Sequence, residues 1–132
     1  MTVGVRILLI QADTILLVKH TYQEYWYLPG GGVKKGETLE AAIRREVREE
    51  IEARLGDLAL VGVYSNFYEY KSDHIVVFLC ENFTLNGNKT NNEIEAFKFF
   101  NIEDLPADIS PGSRRRIEEY LRRAGSPAFG KW

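Results

Sequence analysis

The stretch from residue 30 to residue 51 constrains this chain more than any other. Three glycines, Gly30, Gly31 and Gly32, lead through a polar turn into a segment with helical periodicity. Leu39, Ile43, Val47 and Ile51 recur every four residues and predict an amphipathic helix anchored to a core by that stripe. Thr38 is its expected N-cap, and Glu40 adds negative charge to its first turn. At about 100° per residue, Glu46 and Glu50 sit one turn apart with Glu49 beside them, so three carboxylates share a face. Like charges at that spacing destabilise an isolated helix by roughly 0.2–0.5 kcal/mol per pair. A divalent cation reverses the sign, and hard oxygen ligands at this density suit Mg²⁺ or Mn²⁺. The glycines, Gly31 among them, let the backbone turn sharply and come close to a ligand. These residues read as a metal site. The alternative is a solvated helix in which Arg45 with Glu49, and Arg48 with Glu52, neutralise one another.

The same residues resemble the signature box of the Nudix hydrolase family, G-x5-E-x7-R-E-U-x-E-E-x-G-U, with U a bulky aliphatic. The match runs Gly31, Glu37, Arg45-Glu46-Val47 and Glu49-Glu50, and arises by chance in roughly one chain in a million of this length. A Trp-x-Leu-Pro-Gly-Gly lead-in, common upstream of that box, spans Trp26 to Gly31. The family often carries Trp-Phe in a later strand followed by Glu-x-Leu-Pro. This chain has Phe99-Phe100, then Glu103-Asp104-Leu105-Pro106. One box position departs: Glu52, followed by Ala53, stands where the family has glycine. That departure predicts a helix continuing to Arg54 or Leu55, with Gly56 as its C-terminal cap.

The resemblance implies an α/β/α sandwich with a mixed β-sheet, and a Mg²⁺-dependent pyrophosphohydrolase, with Mn²⁺ as a substitute ion. Its substrate would be a nucleoside diphosphate linked to another moiety: ADP-ribose, a nucleotide sugar, a dinucleoside polyphosphate or a nucleoside triphosphate. It also implies that Glu46, Glu49 and Glu50 bind the metal together with the Gly30 carbonyl. Arg45 and Glu37 pair to fix the loop against the helix. The general base comes from the box or from a glutamate on a distant loop, where Glu93 and Glu95 are the candidates. The rival reading is a module that kept the fold and senses a nucleotide without cleaving it. Its usual mark is lost box carboxylates, and none of the metal-binding glutamates is missing here.

At 132 residues the chain fits one domain, residues 1–132. An apolar share of 45% and a charged share of 27% are those of an ordinary globular protein. The net charge of −2 offers no broad attraction to nucleic acid or an anionic membrane, so neither is an expected partner. One cysteine, Cys80, rules out an internal disulfide and fits a reducing compartment; the expected location is the cytoplasm. The apolar run from Val3 to Ile10 contains Arg6, is too short to span a bilayer, and reads as a strand. Asn82-Phe83-Thr84 and Asn88-Lys89-Thr90 match the glycosylation triplet, which carries no meaning without secretion.

In chain order, Val3–Gln11 and Thr14–His20 predict a hairpin about Ala12 and Asp13. Trp26 to Leu28 form a short strand stopped by Pro29. Residues 58–70 predict one or two strands, with Gly62 as a bulge. Residues 74–83 are too continuously apolar for a sheet edge. Asn86-Gly87 is a turn, and Ala96 to Phe100 a further strand. Ser110 as N-cap and Pro111 start a last helix. Its expected apolar face is Ile117, Tyr120, Leu121 and Ala124, with Gly125 ending it. The basic run Arg114-Arg115-Arg116, with Arg122 and Arg123, is interrupted by Glu118 and Glu119 and reads as a solvated face.

For the substrate, Tyr25, Trp26 and Phe67 are candidates to stack on a nucleobase, from a set that includes Tyr22, Tyr64, Tyr68 and Tyr70. Strand packing accounts for most of these. Arg6 is a candidate phosphate contact, as are Lys19 and His74. Trp132 docks on the body or on a second subunit, which keeps a homodimer open.

Overall fold

The computed structural model describes residues 1–87, 93–123 and 126–132. Strand β1 (Thr2–Gln11) turns through Ala12 and Asp13 into β2 (Thr14–His20), with Gln11 opposite Thr14. Ala12 takes the left-handed φ of 55° that so tight a turn demands. The two strands pair only at this end. Beyond it β1 lies between β4 (Gly30–Gly32) and β7 (Asp73–Cys80), antiparallel to the first and parallel to the second. Strand β2 lies between β3 (Trp26–Tyr27) and β9 (Ile94–Asn101). The sheet runs on from β7 to β6 (Ala59–Asn66), whose register shifts between Leu60 and Gly62 as a bulge. Its far edge is β10 (Ala128–Lys131), parallel to β6. Strands β5 (Ala53–Leu55) and β8 (Phe83–Leu85) make a separate pair.

Helix α1 (Leu39–Ile51) covers one face of the sheet and α2 (Pro111–Arg123) the other. Strand pleating explains why. Val5, Ile7 and Leu9 of β1 point to the core that holds Ala42, Ile43, Val47 and Ile51. Leu8 and Ile10 point to the core that holds Ile117. Both faces are covered, so the strand reads as one apolar run, and β7 is central for the same reason. Each fully buried aliphatic side chain of α1 contributes about 1.5–3 kcal/mol. This is the expected sandwich around a mixed sheet. No helix among the described residues is long and apolar enough to cross a membrane.

Several expectations change. Gly30 to Gly32 are extended and paired with β1; the bend toward α1 comes later, with Gly36 at φ 83°. The apolar stripe of α1 lacks Leu39, which is 39% exposed on the first turn. Helix α1 stops at Ile51 instead of reaching Arg54 or Leu55. Glu52 itself takes the left-handed cap conformation, φ 52° and ψ 36°, and its N–H donates to the Arg48 carbonyl at 3.0 Å. Chain reversal there frees residues 53–55 to pair with β8, while the Gly56 N–H goes to the Asn82 carbonyl.

In α2, Ser110 caps as expected, but Leu121 is exposed and Arg116 is buried at 5% exposure. The Arg116 guanidinium stacks on Tyr64 at 4.0 Å and on Trp132 at 5.4 Å, and donates to the Lys131 carbonyl. Two aromatic faces and a carbonyl replace water around it, so this part of the basic run is not a solvated face. Trp132 accordingly docks on its own chain. The assignments made for Ala124, Gly125 and Asn88-Lys89-Thr90 fall outside the described residues.

Candidate active site

The floor of the site is β4 and its roof the inner face of α1. Thr38 sets the entry of the helix, its Oγ1 accepting the Ala41 N–H at 3.0 Å. Two turns on, the Glu46 carboxyl group lies directly over Gly31: a Cβ built on that glycine would sit 2.5 Å from Glu46 Cδ. One turn further, Glu50 Oε1 accepts the Gly30 N–H at 3.0 Å. Gly30 has φ 147°, and a Cβ there would collide with the Val5 carbonyl. Glycine at both positions is therefore what lets two carboxylates reach the strand backbone. Glu50 is only 5% exposed. Burial is the main cause that pushes its carboxyl group up to about 8; the Arg6 charge and the Gly30 N–H oppose the rise, and the Glu46 and Glu93 charges add to it.

Arg45 clamps the loop to the helix. Its Nε and Nη2 donate to the two oxygens of Glu37 at 2.6 and 2.9 Å, a bidentate pair, and Nη2 also reaches the Gly32 carbonyl at 3.0 Å. Glu37 further accepts the Lys34 N–H at 2.8 Å. The Arg45 bond first, then that N–H, hold the Glu37 carboxyl group down to about 2. Arg45 Nη1 contacts Glu46 at 2.9 Å and Glu49 at 3.3 Å. The three helix carboxylates thus share a face, as their spacing requires, but Arg45 engages Glu46 and Glu49 while Glu50 is held by the Gly30 N–H. Among the described residues, no three acidic, histidine or cysteine side chains converge as a ready-made cation site. The donor set still fits a hard divalent ion: every side-chain donor is a carboxylate oxygen, and one carboxylate is buried where its charge is poorly balanced. A cation would compete with Arg45 for Glu46 and Glu49.

Arg6 and Glu93 come to this same place. Arg6 donates through Nη1 to the Leu28 carbonyl at 3.0 Å, and its charge acts on Glu50. Glu93 precedes β9 and its charge also reaches Glu50, whereas Glu95 falls at the irregularity in the β2–β9 pairing, exposed and opposite no residue. The remaining candidates are three aromatic residues in different settings. Trp26 packs in the α2-side core, edge-on to Phe100 at 5.0 Å. Tyr25 is 45% exposed in the loop before β3, edge-on to Tyr27. Phe67 is 55% exposed just past the end of β6.

Sequence reasoning missed His20. It ends β2 on the α1 side, edge-on to Tyr27 at 5.7 Å, within the fields of Arg6 and Glu93. Burial, then the Arg6 charge, lower its pKa, and Glu93 opposes them. The signal was the β2 alternation: Leu16 and Val18 face the α1 core, so residue 20 follows them.

The NUDIX domain family model matches residues 1–120. An ADP-ribose pyrophosphatase of Methanocaldococcus jannaschii is 30% identical over 116 residues, covering 83% of this chain and 67% of that protein. An RNA pyrophosphohydrolase of Helicobacter pylori is 27% identical over 119 residues, covering 76% of each. A MutT NUDIX hydrolase structure from Burkholderia pseudomallei superposes with a TM-score of 0.77 at 26% identity, over 89% of this chain and 95% of that one. With the box glutamates on an α1 that rests on β4, and a family match reaching from β1 into α2, the chain belongs to the Nudix family and is a hydrolase of that family.

Proposed function

We propose that the protein is a Mg²⁺-dependent pyrophosphohydrolase that cleaves a diphosphate bond in a nucleoside diphosphate linked to another moiety. The observation that carries this reading is the buried Glu50 carboxylate held against the Gly30 N–H, with Glu46 lying over Gly31 beside it. A diphosphate repels nucleophiles through its own negative oxygens. Mg²⁺, held by Glu46, Glu49, Glu50 and the Gly30 carbonyl, would neutralise those oxygens and acidify the attacking water; Mn²⁺ would substitute.

The chain's own residues do the rest. Arg45 and Glu37 keep the loop that follows β4 fixed against α1, so the carboxylates hold their positions through turnover. Arg6 presents positive charge to the substrate phosphates. Glu93 is the general base: it takes the proton of the attacking water as the new P–O bond forms, and the anhydride P–O bond breaks with its electron pair leaving on the departing phosphate. Tyr25 and Phe67, both exposed, are available to a nucleobase. Trp26 packs into the α2-side core and keeps at most a supporting part.

The test is hydrolysis of a panel, ADP-ribose, a nucleotide sugar, a dinucleoside polyphosphate, nucleoside triphosphates and a short RNA, with and without millimolar Mg²⁺. The expected outcome is a phosphate-bearing product only when the ion is present. Glu50→Gln should lower kcat by roughly 100-fold or more without changing the melting temperature. Full turnover by that variant, or turnover in excess chelator, would overturn the assignment.

A further inference from the structure

The missed histidine carries an inference beyond the box. In β2–β9 pairing, Lys19 lies opposite Ala96 but His20 lies opposite Ile94, so Glu95 is passed over. The irregularity turns Ile94, 3% exposed, into the α1-side core, where Phe97 and Phe99 already point. Just beyond it the Thr21 N–H donates to the Glu93 carbonyl at 3.0 Å. The backbone of Glu93 is thereby tied to the residue after His20, which places both residues at the C-terminal end of β2. Tyr27 stands edge-on to the imidazole, and Tyr25 edge-on to Tyr27, so the ring is held from one side by aromatics. Arg6 and Glu93 act on His20, and Arg6, Glu46 and Glu93 act on Glu50.

We propose that His20 is a positioning residue for Glu93, holding its carboxylate toward Glu50 so that it meets the attacking water. The inference rests on the reading of Glu93 as general base. A neutral imidazole suits this work better than a lysine or arginine would. It can orient a carboxylate through a hydrogen bond without the full ion pair that would make the carboxylate a poorer proton acceptor. Burial and the Arg6 charge both favour that neutral form.

A double-mutant cycle with Glu93→Gln, His20→Ala and His20→Gln tests it, using Mg²⁺ and the panel compound cleaved fastest. His20→Ala should lower kcat about 10-fold with KM within about twofold, and His20→Gln should recover most of that loss. In the Glu93→Gln background, His20→Ala should change kcat by less than about twofold. Equal losses in both backgrounds, or a change confined to KM, would overturn the positioning role while leaving Glu93 as base. Full turnover by Glu93→Gln alone would instead remove the general base on which the inference rests. Proton NMR titration of the His20 ring, assigned against a His74 variant, gives a reading independent of activity. Glu93 raises the His20 pKa, so Glu93→Gln should lower it; an unchanged value would mean that the two groups do not face each other. Melting curves of each variant establish that the fold is retained.

Discussion

Adjacent glycines in β4 do different work. At Gly31 an added methyl group meets the Glu46 carboxyl group, whereas at Gly32 it meets nothing within 4 Å. Gly31→Ala must therefore push Glu46 off the strand, and a displacement near 1 Å at a reacting centre costs up to about 100-fold. The expected result is a fall in kcat/KM of roughly 10- to 100-fold for Gly31→Ala, set against a change within about twofold for Gly32→Ala. Equal effects in steady-state assays would show that the glycine's openness is not what seats Glu46. The residues that sequence spacing could find here, Glu37, Arg45, Glu46 and Glu50, all lie in one turn and one helix, where periodicity fixes direction. Arg6, His20 and Glu93 arrive from three separate strands or their ends. Their meeting depends on pairings that leave no local trace, which is why Glu93 stood level with Glu95 until the β-bulge was visible.

The end of α1 shows how an element can keep its geometry while losing the residue that usually supplies it. Spacing and capping located the start of the helix at Thr38, but the lack of glycine at position 52 pointed to a longer helix. The backbone instead adopts φ 52° with glutamate, because stopping there releases residues 53–55 into the pairing with β8. Tertiary pairing outweighs a local preference of roughly 1–2 kcal/mol against a left-handed non-glycine residue. Glu52→Gly should relieve that strain, less about 0.4–1 kcal/mol for the freer unfolded chain, and gives up only the exposed bond from Asn86 to Glu52 Oε2 at 3.2 Å. The melting temperature is then expected to rise by about 2–3 °C. Glu52→Ala gives up the same bond but keeps the strain, so it should melt at or below the parent temperature. A Glu52→Gly variant no more stable than the parent would mean that the cap carries no strain.

At the scale of the molecule, the sandwich was legible because both faces of β1 and β2 are apolar and each helix starts at a marked cap, Thr38 and Ser110. Its closure at the β10 edge was not. A four-residue parallel strand has no distinctive pattern, and Arg116 looks like any other member of a basic run until Tyr64 and Trp132 are placed on either side of it. That cluster joins α2, β6 and β10, and the Tyr64 hydroxyl completes it by donating to Glu119 Oε1. Burial first, then the bond to Glu119, push the Tyr64 phenol from 10.0 up to about 12. The folded state thus favours the protonated phenol over its ionised form. Because the folded value lies above the unfolded one, that contribution to stability is complete below pH 10 and is lost as pH climbs toward 12. Tyr64→Phe cannot ionise and has no such dependence. Urea unfolding at several values between pH 9 and about 12 should therefore show the parent losing stability with pH more steeply than the variant. Parallel slopes would mean that the phenol titrates alike in the folded and unfolded chains, and that Tyr64 joins the three elements through its ring alone.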